Sequence, residues 1–174
     1  MPYKPTSAEE EKRKAMIITE RKGDECMSIK MRVKLDRGAK LPLRAHITDA
    51  GLDLCSRVEK IVPARGSATF DTGVHIELPI VNISGRRYAT VGMLKSKSGL
   101  NVKHGITSEG VIDVGYTGSI VVKLYNHSDT DYKVLEGDKI SQLVILPIIT
   151  PQLELTDSFE VTERGDNGFG SSGR

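Results

Sequence analysis

The sequence predicts an all-β fold, on three observations. Residues 27–35 alternate strictly, with Met27, Ile29, Met31, Val33 and Leu35 on one side and Ser28, Lys30, Arg32 and Lys34 on the other. That is the period of a half-buried strand. After it come short β-branched or apolar runs separated by turn residues, the spacing of a sandwich or barrel. Finally, no segment after residue 27 carries convincing helical periodicity. A βαβ sheet with a Rossmann-type or Walker-type phosphate site is therefore not expected, and phosphate chemistry would have to use loops.

In chain order, residues 1–26 form a charged extension. Ser7 stands three residues before Glu10, a capping-box arrangement, and Gly23 is a plausible stop, so a short helix from about Ala8 to Lys22 is one reading. Its apolar residues bunch at Ala15 to Ile18, which suits a solvated arm equally well. The expected core spans residues 27–163, with strand runs at Lys60 to Pro63, Ala68 to Phe70, Val74 to Leu78, Tyr88 to Leu94, Ser119 to Tyr125, Tyr132 to Leu135 and Ile140 to Ile149. Residues 164–174 make a Gly/Ser-rich arm.

A chain of 174 residues fits one domain with an arm, and 38% hydrophobic with 28% charged residues excludes both full disorder and a coiled coil. Aromatic content is only 5%, so Ile, Val and Leu must fill the core, and Tyr116 and Phe169, outside apolar runs, become candidates for contact work. With 25 Lys plus Arg against 23 Asp plus Glu, no global field marks a nucleic-acid or membrane-surface binder, and any anion site must be local. Cys26 and Cys55 show no metal-ligand rhythm, the four histidines are scattered, and no run of eighteen apolar residues appears. The chain reads as a cytoplasmic protein with reduced thiols and no zinc site.

Five clusters could carry chemistry. The tail places Arg164 before three glycines around Phe169, then Ser171 and Ser172. Glycine amides, hydroxyls and a guanidinium fork suit a polyphosphate, and a ring can cover a base; a frayed terminus has the same composition. Gly110-Val-Ile-Asp-Val-Gly-Tyr-Thr-Gly118 looks like a β-hairpin with Asp113 between an apolar pair and a Gly-Tyr turn, where the carboxylate serves either a ligand or the turn. Lys95-Ser-Lys-Ser-Gly-Leu100 is a donor cluster for phosphate oxygens or a solvated loop. Ala50-Gly-Leu-Asp-Leu54 offers Asp53 to Mg2+ through water or to a turn. Gly137-Asp-Lys-Ile-Ser-Gln-Leu-Val-Ile145 puts Gln142 at a strand entry.

Taken in this order and spacing, the five clusters resemble the motifs of the trimeric all-β dUTPases, over about residues 27–174. The resemblance implies a jelly-roll-like barrel, a homotrimer with shared active sites, and hydrolysis of dUTP to dUMP and pyrophosphate with Mg2+, keeping uracil out of DNA. It implies that Asp113 deprotonates the water attacking the α-phosphorus. Gly110 and Ile112 would read the uracil edge through their backbone, and Tyr116 would stack under the deoxyribose and exclude a 2′-hydroxyl. Ser98 and Gly99, with Lys97 nearby, would hold the phosphates, and Gln142 would assist. Asp53 would hold waters of Mg2+. Arg164, Gly170, Ser171 and Ser172 would clamp the γ-phosphate while Phe169 closes over uracil, the arm acting as a flexible lid.

Some positions depart from the family pattern. Lys97-Ser98 stands where Arg-Ser is common, and Lys95-Ser96 offers a competing register. Lys139 and Ser141 replace a usual Arg and Ala, and Thr107 occupies the place of an Asn that contacts uracil in many members. Two rivals remain at this point: a dCTP deaminase relative, for which Glu109 is the candidate carboxylate, and a nucleotide-dependent binding protein with a regulatory protein partner.

Overall fold

The computed structural model describes residues 29–165. The helix expected at 8–22, together with Cys26, Phe169, Gly170, Ser171 and Ser172, lies outside the described residues. Ten strands are formed within them: β1 (Arg32–Leu35), β2 (Gly51–Cys55), β3 (Lys60–Val62), β4 (Ser67–Glu77), β5 (Val81–Ile83), β6 (Arg86–Lys95), β7 (Ile106–Ile112), β8 (Ser119–Asn126), β9 (Tyr132–Val134) and β10 (Lys139–Ile148). One helix, α1 (Ser98–His104), joins β6 to β7.

All pairings are antiparallel, along the path β1-β4-β8-β7-β6-β10-β2, with β5 added to β6 and β3 paired to β9. Side chains from both flanks of this path share one core: Phe70 and Ile76 of β4, Val122 and Leu124 of β8, Leu54 of β2, Leu94 of β6 and Leu143 of β10. A single core between the two ends of one path requires the sheet to curl on itself, which is the jelly-roll-like architecture the family resemblance implied. β8 shows why the pattern was readable, since its residues alternate between buried and outward positions along nearly its whole length.

β7 is the hinge of the curl. Its first half, Ile106 to Ser108, pairs with β8, and its second half, Glu109 to Ile112, pairs with β6. The hairpin expected around Asp113 is therefore splayed: β7 and β8 leave a common turn but join only at their far ends. A fork opens between them.

The expectation of no helix after residue 27 is corrected by α1. Seven residues with no buried side chain give no apolar stripe to detect. Gly105, with φ 65°, ends the helix in the left-handed region and donates its N-H back to Asn101 O at 2.9 Å. Among the described residues no helix is long and apolar enough to cross a membrane.

Candidate active site

The predicted site residues gather into two groups. The first lies where β2, β10 and the β6–α1 junction meet. Asp53, in the middle of β2, is only 7% exposed, and its carboxylate receives Lys97 Nζ on Oδ1 at 2.5 Å and Lys139 Nζ on Oδ2 at 2.7 Å. Burial pushes its carboxyl upward, but the hydrogen bonds and charges of Lys139 and Lys97 outweigh it and hold the group below the usual carboxylate value. Asp53 is thus an ionised carboxylate whose cluster carries two cations against its one negative charge, a balance that suits an anionic ligand.

Gln142 faces Asp53 across the β10–β2 ladder and donates Nε2 to Ser96 O at 2.9 Å. Its side chain lies over Gly51, where an added Cβ would collide with Gln142 Oε1. The glycine of the first motif is there because Gln142 covers its backbone. Lys95 and Ser96 are committed elsewhere: Lys95 pairs with Glu109 at 2.5 Å, and the Ser96 hydroxyl accepts Ser108 N-H at 2.9 Å. Lys97 instead turns toward Asp53, while Ser98 and Gly99 are exposed in the first turn of α1, whose leading amides have no acceptor within a helix. Ser141, which replaces a usual Ala, is fully buried, and its hydroxyl is satisfied by Ser108 Oγ at 2.9 Å and Lys95 O at 3.1 Å.

The second group lines the fork. A cleft of about 260 Å³ is bordered by Gly110, Ile112, Asp113 and Tyr116 from the β7 side and by Ser119 and Lys123 from β8. Asp113 O accepts Tyr116 N-H at 3.1 Å, and Gly115, with φ 91°, supplies the positive φ that this turn needs before Tyr116. Tyr116 is half exposed, and its hydroxyl donates to Ser119 O at 3.1 Å. From Glu109 to Ile112 the strand has β6 on one side and the fork on the other. Thr107 lies on the closed part of β7, opposite Tyr125, with its hydroxyl on His127 Nε2 at 2.9 Å. Glu109 is exposed, and the Lys95 hydrogen bond holds its carboxyl below the usual range.

Within one chain the mouth of the fork is set apart from the Asp53 group along β6: Ile112, beside Asp113, pairs with Gly92, and Lys97 stands five residues further along β6 and its exit, roughly 16 Å at strand rise. The fork cleft is also smaller than the roughly 300 Å³ at which small-molecule sites begin. A larger cavity of about 610 Å³ is lined mainly by apolar side chains such as Met31, Leu41 and Ile145 and contains none of the predicted site residues. After Ile148 the chain runs on without a strand, with Leu153, Leu155, Phe159 and Val161 almost wholly exposed, into the turn at 162–165 that carries Arg164.

A profile of the dUTPase family matches residues 37–173. The chain belongs to the dUTPase family. It is 42% identical over 141 residues to the deoxyuridine 5'-triphosphate nucleotidohydrolase of Oryza sativa subsp. japonica, covering 80% of this chain and 78% of that one. It is 41% identical over 143 residues to the enzyme of the same description from Clostridium acetobutylicum, covering 80% and 93%. Among solved structures, the dUTPase of Staphylococcus bacteriophage 80alpha with dUPNHPP superposes with a TM-score of 0.73 at 32% identity, over 83% of this chain and 99% of that one. A mutant dUTPase of phage phi11 of S. aureus, whose structure describes coordination of a structural Mg(II) ion, gives 0.65 at 29% identity, over 76% and 100%. The chain is a dUTP diphosphatase, hydrolysing dUTP to dUMP and pyrophosphate, and the deaminase reading of Glu109 is not favoured.

Proposed function

We propose that dUTP is bound and hydrolysed across the two groups, the fork of one copy of the chain facing the Asp53 group of the next in a homotrimer, with the C-terminal arm of the third closing the site. The separation of the two groups along β6 carries this reading. The long exposed segment after Ile148 supports it, since it makes no strand and leaves Leu153, Leu155, Phe159 and Val161 without a covering surface of their own chain.

In the fork, the bare backbone of Gly110 and Ile112 reads the uracil edge, and the Tyr116 ring lies under the deoxyribose where a 2′-hydroxyl would collide with it. Asp113, exposed at the mouth, takes a proton from water as its oxygen attacks the α-phosphorus. The bond to the bridging oxygen breaks, giving dUMP and pyrophosphate. On the facing chain Lys97, Ser98, Gly99 and Gln142 hold the phosphates. Arg164, Gly170, Ser171 and Ser172 complete that grip, with Phe169 over the base.

Among the described residues no group of three His, Cys, Asp or Glu side chains forms a direct metal cage. A Mg2+ ion would arrive chelated by the phosphates. Asp53 fits a water-mediated role toward it, because the carboxylate is ionised and each oxygen, with one ammonium on it, keeps a second acceptor position. Such an ion supplies charge neutralisation on the phosphate chain.

Complementation tests the arrangement. Asp113→Asn and Asp53→Ala chains, each impaired alone when assayed at dUTP below the native KM, should regain dUTP hydrolysis when unfolded together and refolded, because some mixed sites then contain both intact halves. Mixed preparations no more active than either parent would place both halves in one chain and sink the shared site.

A further inference from the structure

We propose that an irregularity in β4, acting through Asp71 and His75, positions the Tyr116 turn and so sets the discrimination between deoxyribose and ribose. The inference rests on the reading of Tyr116 as the residue under the sugar.

The sequence of β4 already departs from a regular strand: burial alternates up to Asp71, then Thr72, Gly73 and Val74 are buried in succession. Against β8 the register moves from Asp71↔Val121 to His75↔Ser119, four steps on β4 for two on β8. Extra residues on one strand re-aim the side chains that flank them, and such irregularities favour the surroundings of functional sites.

Here the re-aimed groups all reach the segment that follows Tyr116. His75 Nδ1 lies 2.9 Å from the carbonyl oxygen of Thr117. A carbonyl only accepts, so Nδ1 carries the proton. Asp71 Oδ1 accepts the Ser119 hydroxyl and, at 2.9 Å, Gly73 N-H. Thr72 Oγ1 donates to Ile120 O at 2.7 Å. Residues 117, 119 and 120 are thus each tied to β4, and Tyr116 is linked to the same segment through its hydroxyl on Ser119 O.

The Asp71 tether is itself braced from further out. Arg57 holds Asp71 Oδ2 at 2.7 Å and donates Nε to Asp71 O at 3.1 Å, whereas the His75 tether rests on Nδ1 alone, its Nε2 having no hydrogen-bond partner among the described residues. Neither Asp71 nor His75 belongs to the apolar core, and neither lines the cleft. They are positioning residues, and their object is the ring that separates two sugars differing by one hydroxyl. Rejection of a slightly larger substrate by a wall depends on the wall not moving.

The test compares dUTP and UTP hydrolysis in His75→Ala, Asp71→Ala, His75→Gln, Arg57→Gln and Tyr116→Ala. The two tether alanines should lower the ratio of kcat/KM for dUTP over UTP about tenfold, chiefly through KM for dUTP and a gain with UTP. His75→Gln, whose amide can still donate to Thr117 O, should recover most of the ratio, and Arg57→Gln should give an intermediate loss. An unchanged ratio in the tether variants, beside a collapsed ratio in Tyr116→Ala, would overturn the tether role alone. An unchanged ratio in Tyr116→Ala would overturn the reading of Tyr116 and the inference with it. If the alanine variants do not fold, Arg57→Gln decides, a lowered ratio supporting the tether and an unchanged one overturning it.

Discussion

Asp113 and Asp53 are both carboxylates in β-rich surroundings, yet they are built in opposite ways. Asp113 stands exposed at the mouth of the fork, held by the turn it belongs to. Asp53 is buried in a strand with an ammonium on each oxygen. A base that must take a proton from water needs access to that water, whereas a group that organises phosphates needs a fixed charge and fixed neighbours. The difference predicts that changes in the fork act on turnover and selectivity, and changes in the Asp53 group act on binding and stability together.

The largest break should come from Asp113→Asn. Hydrolysis should fall by about 10²–10⁴-fold, the usual worth of a positioned base, while dUTP binding by calorimetry stays within a few-fold. A variant retaining near-normal kcat would mean that the base lies elsewhere. Removing residues 164–174 comes next: most of the turnover should be lost, and the thermal midpoint of the β core should hold. Undiminished activity in that truncation would dispose of the lid.

Asp53→Asn should mix the two kinds of effect. Losing the carboxylate leaves two ammonium groups facing a buried amide, which costs about 1–2 kcal/mol; that is below the ~3–5 of a fully buried broken pair because both lysines still reach water. KM for dUTP should rise with it. The pH dependence has a definite sign. Because the folded-state pKa of Asp53 is depressed, its contribution to stability is fully present above the unfolded value near 3.8 and disappears as pH falls through the lower folded value. Acid titration of native and Asp53→Asn proteins should therefore show their stability difference shrinking below about pH 4. A constant gap down to the lowest pH would show that the pair does not shift the carboxyl.

How much of this was legible beforehand follows from the same contrast. Strands with one face in water, such as β8, announce themselves by alternation, and the runs at Ser119 to Tyr125 and Ile140 to Ile149 fall on β8 and β10. β2 did not announce itself as a strand, because Gly51 to Leu54 are all buried and the charge inside it is neutralised by lysines distant in sequence. The register of the second motif was also undecidable from residues alone. Lys95-Ser96 and Lys97-Ser98 have the same composition, and only the ladder shows the first pair facing β7 and Lys97 facing Asp53. Asp71 and His75 went unnoticed for a similar reason: two polar residues at the outward positions of an alternating strand look solvated until the register shift aims them at the Tyr116 turn. The signal available was the run Thr72-Gly-Val74, which interrupts the alternation of β4.

The smallest effect, and the finest probe of the Asp53 side, is Gly51→Ala. The new methyl would meet the flexible end of the Gln142 side chain, which can swing away, and would crowd Gln142 Cβ at 3.0 Å, which asks β10 to give by a few tenths of an ångström. What is lost is the hydrogen bond from Gln142 Nε2 to Ser96 O, worth about 1 kcal/mol at most. Stability should drop by that amount or less, kcat should hold within a few-fold, and KM for dUTP should rise, because Ser96 leads directly into the Lys97-Ser98-Gly99 turn. Gln142→Ala should reproduce the KM change with Gly51 intact, and combining the two should add almost nothing, since both remove one contact. Additive effects in the double variant would mean that Gly51 serves the site by some route other than making room for Gln142.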